Sequence, residues 1–227
     1  MSRLPDLHTR TTGGKQHVSR FADSKTGRSG WGVQAWRIPV WRELFADHFT
    51  PVEVMRVLKN ASRHCYLLES ASQEEAWGRY SFLGYDPTME ITCLDGEVTI
   101  RENLGNGTET VTTKHVDHPG DTLREVLARY KSPVMEKMPT FTGGLVGYFS
   151  YDYIKYSEPK LKLTSEGQQD FRDMDLMLFN EVIAFDHYRQ KIMLITGVMT
   201  EDIEGSYQKA EEYLTEEVVK RWIQLLK

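Results

Sequence analysis

The chain has 227 residues, 40% of them hydrophobic and 27% charged, enough for a sizeable core in one large domain or two small ones. Its formal net charge of −5 argues against nucleic acid as the partner, because phosphate binding usually needs a clustered basic surface. No apolar run reaches the roughly 18 residues of a membrane span, and the N-terminus lacks the apolar segment of a secretory signal.

Residues 1–35 are polar and basic and have no apolar periodicity. Such a segment cannot offset its ordering entropy, so we expect a disordered basic tail. Order is predicted to begin near Trp36, and residues 36–227 are predicted to form the folded domain. Cys65 and Cys93 lie in strand-like runs without CxxC spacing, so we expect two buried thiols and a cytoplasmic location.

Local signals predict the elements of the first half. "RIPVWREL" is typical of a strand, and in the next helix Thr50 is the expected N-cap, Pro51 opens the first turn and Glu53 completes a capping box. Strands are expected at "HCYLLES" and "RYSFLGY". Asp95-Gly96 predicts a type I′ hairpin within "MEITCLDGEVTIREN", and "TETVTTKHVD" is expected to add an edge strand. A helix capped by Asp121 should follow.

In the second half, "DMDLMLFNEVIAFDH" and "KIMLITGV" are expected to form another hairpin. Residues 201–227 predict one helix without a Gly or Pro stop signal, which we interpret as a connector that expects a partner surface outside this chain. The whole pattern indicates an α+β fold with mainly antiparallel sheets and a few flanking helices. The apolar stripe of the last helix contains Ile203, Tyr207, Ala210, Leu214, Val218 and Trp222.

"PTFTGGLVGYFSYDYIKYSEP" places three glycines and four tyrosines in one stretch, residues 139–159. Glycine within a strand weakens it and usually marks a bend or a close approach to another backbone or a ligand. Spacing alone leaves a packing explanation and a ligand explanation open.

The P-loop, GxGxxG, HExxH and GxSxG signatures are missing from the sequence. His187 beside Asp186 is interpreted as a turn-stabilising pair near a hairpin end. Asp173 and Asp175 place two carboxylates on one face of a strand, and a polar strand edge is the preferred interpretation.

One stretch has the residue types of a binding site for an amino acid. A strand ends in Glu69-Ser70, and Arg79 opens the next strand. A carboxylate and a hydroxyl suit an ammonium group, while a guanidinium suits a carboxylate, so the two strand ends together could hold a zwitterion. Local chemistry by itself favours a surface ion pair between Glu69 and Arg79.

Four separated motifs in this order resemble the N-terminal region of anthranilate synthase component I. They are "IPVWRELFADHFTPVEV", "LLESASQEEAWGRYSFLGYDP", "FTGGLVGYFSYDYIKYSEP" and "DMDLMLFNEVIAFDH", and the resemblance extends from about Trp36 to the C-terminus. Component I of aminodeoxychorismate synthase is related, but its first motif is less like "LLES", which makes it the second choice.

The resemblance implies a Mg²⁺-dependent conversion of chorismate to anthranilate and pyruvate, with ammonia delivered from glutamine by an amidotransferase subunit. It also implies feedback inhibition by tryptophan, at a site that would include Leu68, Glu69, Ser70 and Arg79. Arg79 lies where relatives carry lysine, which keeps the charge and changes the geometry. In the family the glycine-rich stretch lies in the sheet core, where its glycines permit close packing.

Members of this family are about twice as long, and their chorismate and Mg²⁺ sites lie in a C-terminal half that this chain is expected to lack. We therefore assign no catalytic or metal-binding residue here, and the chain alone is expected to be inactive. Three interpretations stay open: part of a split or truncated component I that works with a C-terminal half, a stand-alone module that binds an aromatic amino acid, and a non-functional fragment.

Overall fold

The computed structural model describes residues 37–46, 49–69, 78–105, 107–136, 138–158, 160 and 171–215, so the expected tail lies outside them. The described strands form two five-stranded sheets in which all neighbouring strands are antiparallel, which confirms the predicted α+β class. The elements are β1 (Arg37–Phe45), α1 (Pro51–Ala61), β2 (Cys65–Glu69), β3 (Tyr80–Tyr85), β4 (Met89–Leu94), β5 (Glu97–Glu102), β6 (Thr110–His115), α2 (Pro119–Ala128), β7 (Gly144–Phe149), a 3-10 helix (Tyr151–Tyr156), β8 (Met174–Phe179), β9 (Val182–Asp186), β10 (Lys191–Met199) and α3 (Ile203–Tyr213).

The first sheet has the strand order β1-β10-β9-β3-β2 and receives α1 and α3 on one face. Val54 and Leu58 of α1 and Tyr213 of α3 pack there against Leu83 and Leu194 of the sheet. On the other face, Val182, Ala184, Met193 and Ile195 form a second apolar cluster, against which Met138 and Phe141 pack. Because β9 and β10 are covered on both faces, their sequences are nearly continuous apolar runs.

The capping box of α1 is confirmed. The Thr50 hydroxyl accepts a hydrogen bond from the Glu53 backbone N–H (3.3 Å), and the Glu53 carboxylate accepts one from the Thr50 backbone N–H (2.9 Å). The predicted cap of α2 is wrong: the helix begins at Pro119 after His118, so Asp121 lies in its first turn. Pro119 is preset for the first helical position, which starts the helix earlier than the Asp121 pattern indicates.

The second sheet has the order β6-β5-β4-β8-β7. Its β4–β5 hairpin turns at Asp95 and Gly96, whose φ angles of 47° and 80° are those of the predicted type I′ turn. The expected edge strand β6 pairs only with β5 among the described strands. Leu123 and Val126 of α2 pack against this sheet.

The run "DMDLMLFNEVIAFDH" does not form one arm of a hairpin. Its first part is β8, which lies between β4 and β7 in the second sheet, and its second part is β9, which pairs with β10 and β3 in the first. Only Asn180 and Glu181 separate the two strands. The predicted hairpin is therefore confirmed for β9 and β10 alone, since a short polar interruption does not show whether the next strand stays in the same sheet.

The glycine-rich strand β7 is an edge strand among the described residues, not part of the sheet core, and it pairs with β8. The expected close packing does occur at Gly147, where an added Cβ would lie 2.0 Å from the Asp175 carbonyl oxygen. Tyr148 and Phe149 are exposed on the same strand. Gly147 thus has a packing explanation.

The last described helix, α3, ends at Tyr213, where the sequence predicts one helix over 201–227, and residues 216–227 of that prediction lie outside the described residues. Its apolar stripe is not unpartnered over the described residues, because Ile203, Tyr207 and Ala210 pack with Val40 and Val198 of the first sheet. Val218 and Trp222 lie outside the described residues. In the described part of the chain, no helix has the length and apolar character needed to cross a membrane.

Candidate functional site

The sequence-predicted site residues lie where three neighbouring strands end. The antiparallel register places Glu69 of β2 opposite Ser81 of β3, and Tyr80 of β3 opposite Asp186 of β9. Arg79 precedes β3 at the same end of the sheet. We call this group the strand-end cluster, which comprises Leu68, Glu69, Arg79, Ser81, Asp186 and His187.

Arg79 forms a two-point ion pair with Asp186. The Arg79 Nε donates to Asp186 Oδ1 at 3.1 Å, and Nη2 donates to Oδ2 at 2.6 Å. The Asp186 side chain is only 2% exposed, whereas the Arg79 side chain is 32% exposed. The ion pair between Glu69 and Arg79 that local chemistry favours is therefore not formed, because the register places the β9 carboxylate beside the guanidinium.

This pair shifts the titration of both groups. The hydrogen bonds that Arg79 donates to Asp186 raise the pKa of Arg79 above its ordinary value. Burial opposes ionisation of Asp186, but the hydrogen bonds from Arg79 and from the Arg189 backbone N–H outweigh it and lower the pKa of this carboxyl. Arg79 therefore stays protonated and Asp186 stays ionised at neutral pH.

Ser81 joins two other polar members of the cluster, Glu69 and His187. Its hydroxyl, on a residue that is 2% exposed, lies 3.3 Å from Glu69 Oε1 and 2.7 Å from His187 Nε2. A hydroxyl has a single proton, so when Ser81 donates to Glu69 the Nε2–H of His187 must donate to Ser81. The His187 backbone carbonyl accepts a hydrogen bond from the Gln190 side chain, and Asp186 accepts one from the Arg189 backbone N–H. In the expected turn-stabilising pair, Asp186 thus acts through its side chain and His187 through its backbone.

Strand alternation separates the cluster into two sides. Glu69 and Ser81 share a face of the sheet with Leu67 and Leu83, while Leu68 lies on the opposite face. The contacts of Arg79 place it on the face of Leu68. Its partner Asp186 is paired with Tyr80 on that face, and the Arg79 Cζ lies 4.8 Å from the Tyr80 ring centroid and 5.8 Å from the Tyr188 ring centroid. A ligand that contacts both charges must therefore lie across the strand ends.

Leu68 contributes apolar surface at the same place, since it is 47% exposed. Ser70 lies outside the described residues, so its predicted contribution stays a prediction. Among the described residues, no three His, Cys, Asp or Glu side chains converge in a way that could hold a metal ion.

Sequence reasoning missed Asp186 and Ser81 as members of this cluster. Asp186 was considered only for the turn that follows β9, and Ser81 lies within an ordinary strand pattern. No local signal identifies them, because Arg79 and Asp186 are 107 residues apart. An antiparallel pairing of β3 with β9 is the information that would have been needed.

The structure gives the carboxylates of Asp173 and Asp175 separate structural roles, which differ from the expected polar strand edge. Asp173 is 2% exposed and accepts hydrogen bonds from Tyr156 Oη (2.7 Å), Lys155 Nζ (2.9 Å) and the Asp95 backbone N–H (2.8 Å). It thereby joins the 3-10 helix to the β4–β5 turn. Asp175 instead pairs with Arg172 at 2.8 Å.

Comparison with known proteins gives a consistent result. Anthranilate synthase component 1 of Acinetobacter calcoaceticus is 36% identical over 181 residues, which is 78% of this chain and 35% of that protein. The component 1 of Pseudomonas aeruginosa is 34% identical over 187 residues, or 82% of this chain and 36% of that protein. The chloroplastic anthranilate synthase alpha subunit 2 of Arabidopsis thaliana is 35% identical over 171 residues, which is 71% of this chain and 27% of that protein. No family model matches the chain.

A solved structure of anthranilate synthase component I from Streptococcus pneumoniae TIGR4 is 26% identical and has a TM-score of 0.41, with 75% of this chain and 36% of that chain covered. The chain spans about a third of the length of the curated relatives it matches. By sequence the chain is similar to anthranilate synthase component I, and the match is consistent with the N-terminal region of that enzyme.

Proposed function

We propose that this chain is the N-terminal scaffold and regulatory part of an anthranilate synthase component I. The observation that carries the proposal is the 36% identity over 78% of the chain to a component 1. The complete enzyme would convert chorismate and ammonia to anthranilate and pyruvate in the cytoplasm. The relatives' names, component 1 and alpha subunit, describe one part of an assembly, and we propose a glutamine amidotransferase as the other subunit.

We further propose that the strand-end cluster forms part of a feedback site for tryptophan. Glu69 offers a carboxylate for the ligand's ammonium group, Arg79 offers a guanidinium for its carboxylate, and exposed Leu68 offers apolar surface for the indole. Ser70, the next residue after Glu69, is proposed as a further ligand contact. The required Mg²⁺ is proposed to bind elsewhere in the complete enzyme, and no step of the reaction is assigned to the residues described here.

The scaffold role is tested by following anthranilate fluorescence from chorismate, ammonium and Mg²⁺. The chain alone is compared with the chain mixed with a separately expressed C-terminal half from a related component I. We expect activity only in the mixture. A mixture that stays inactive although circular dichroism shows a folded chain would contradict the proposal. Micromolar tryptophan binding by the chain alone would then favour a stand-alone binding module.

The feedback site is tested in the active mixture with Glu69→Ala and Arg79→Ala. Each change removes one charge that the zwitterionic ligand needs, so we expect the tryptophan concentration for half inhibition to rise by about tenfold or more. A change at Ser70 should also loosen inhibition. Unchanged tryptophan sensitivity in both charge variants would show that the site lies elsewhere.

A further inference from the structure

We propose that Asp186 is a positioning residue that sets the ligand specificity of the strand-end cluster, an inference that rests on the feedback site proposed above. Asp186 does not face the ligand as a binding group. It holds the guanidinium of Arg79 in one orientation, so that the remaining donors of Arg79 select ligands that carry a carboxylate.

The first step is the hydrogen-bond geometry of Arg79. Its guanidinium group has five N–H donors, and the pair with Asp186 uses the Nε–H and one Nη2–H. The two Nη1–H and the second Nη2–H have no hydrogen-bond partner among the described residues. These donors lie in one plane and suit a carboxylate, whereas they offer an amine nothing to bind.

The second step is the fixed orientation of that plane. The Asp186 carboxylate is 2% exposed and is itself held by the Arg189 backbone N–H at 3.0 Å. The Tyr80 and Tyr188 rings approach the guanidinium carbon to 4.8 and 5.8 Å. A buried, anchored carboxylate and two rings therefore hold Arg79 before any ligand arrives, which lowers the ordering cost of binding.

The third step is the division of the cluster into two sides. Of the two charges proposed to bind the ligand, Asp186 contacts Arg79, whereas Glu69 contacts Ser81 on the other face of β3. A change at Asp186 should thus weaken recognition of the ligand's carboxylate and leave recognition of its ammonium group intact. This separation makes the role testable with two related ligands.

The test measures calorimetric binding of L-tryptophan and of tryptamine, which has the same indole and amine but no carboxylate. The protein is this chain, alone and mixed with the C-terminal half of a related component I. Asp186→Asn keeps the size of the side chain and an oxygen for the Arg189 N–H, but it removes the charge that fixes Arg79. We expect tryptophan affinity to fall about tenfold and tryptamine affinity to stay unchanged.

Two further variants separate positioning from damage to the fold. Asp175→Asn makes the same substitution in a more exposed, single-contact ion pair with Arg172 of the second sheet and should leave both affinities unchanged. The double variant Arg79→Met/Asp186→Asn removes both charges without leaving a buried unpaired carboxylate. It should bind tryptophan no more weakly than Arg79→Met, because Asp186 acts through Arg79.

The outcomes are distinct. Equal weakening of tryptophan and tryptamine by Asp186→Asn, or no weakening of tryptophan, overturns the positioning role while the feedback site stands. Failure of the unmodified protein to bind tryptophan in either form overturns the feedback site and, with it, this inference. A selective loss of tryptophan affinity supports both.

Discussion

At the scale of single residues, the link between β8 and β9 contains a carboxyl group, that of Glu181, whose surroundings disfavour its ionised form. Glu181 is half-buried beside Asp86, and burial followed by the neighbouring charge raises its pKa from 4.5 to about 7. The folded state therefore holds a proton between these two pH values that the unfolded chain releases. The free energy of unfolding must fall as pH rises through this window and then level off above about pH 7.

We expect Glu181→Gln to remove that decline, because an amide does not titrate. The difference between the unfolding free energies at about pH 5 and about pH 8 should shrink by on the order of 1–3 kcal/mol, as measured by urea unfolding at both pH values. Glu125→Gln, at a carboxylate that is 73% exposed, serves as the control and should keep the wild-type dependence. The same decline in Glu181→Gln as in wild type would contradict the assignment.

At the scale of elements, β7 depends on a close approach between two backbones. A Cβ at position 147 would lie 2.0 Å from the Asp175 carbonyl oxygen and 2.8 Å from the Leu176 Cα, so any side chain there must push β7 away from β8. The glycine is required by strand pairing and not by a positive φ angle, since Gly147 is not among the described glycines that have one.

Gly147→Ala should therefore lower the free energy of unfolding, measured with urea, by about 1–3 kcal/mol. The added Cβ would overlap backbone atoms of β8, which cannot move aside as a flexible side chain can. Gly120→Ala is the matched control. An added Cβ there would lie 3.5 Å from the Tyr153 hydroxyl, an ordinary contact, and alanine is favoured in the helix α2 by up to about 1 kcal/mol. The idea fails if the two substitutions have the same effect.

At the scale of the whole molecule, the chain connects the two sheets twice over short distances. Residues 86–88 link β3 to β4, and residues 180–181 link β8 to β9. Aromatic contacts add to these links: the Tyr66 ring of the first sheet lies 4.7 Å from the Phe179 ring of the second. Strands from both ends of the described chain build the first sheet, so neither sheet should unfold alone.

Native-state hydrogen exchange tests this coupling. Leu83→Ala creates a cavity in the first sheet, and we expect it to lower the opening free energies at Leu194 of the first sheet and Ile91 of the second by the same amount, about 2–5 kcal/mol. Val111→Ala, at a residue that is 58% exposed, should change neither appreciably. A loss confined to Leu194 would show that the sheets unfold independently.

Local sequence was sufficient where a structure is specified within a few neighbouring residues. The capping box at Thr50 and the turn at Asp95-Gly96 depend on contacts up to three residues apart, and both were predicted. The motifs that resemble anthranilate synthase component I were also readable in sequence, as was the α+β class.

Only the tertiary structure decided which strands pair and which charges meet. The run from residue 173 to 187 does not show that β8 and β9 lie in different sheets, since the polar pair Asn180-Glu181 between them would suit a turn within one sheet equally well. The partner of Arg79 was equally hidden, because Asp186 is 107 residues away and is brought near only by pairing of β3 with β9. Sequence patterns record local preferences, whereas strand register is fixed by long-range packing and hydrogen bonding across the whole sheet.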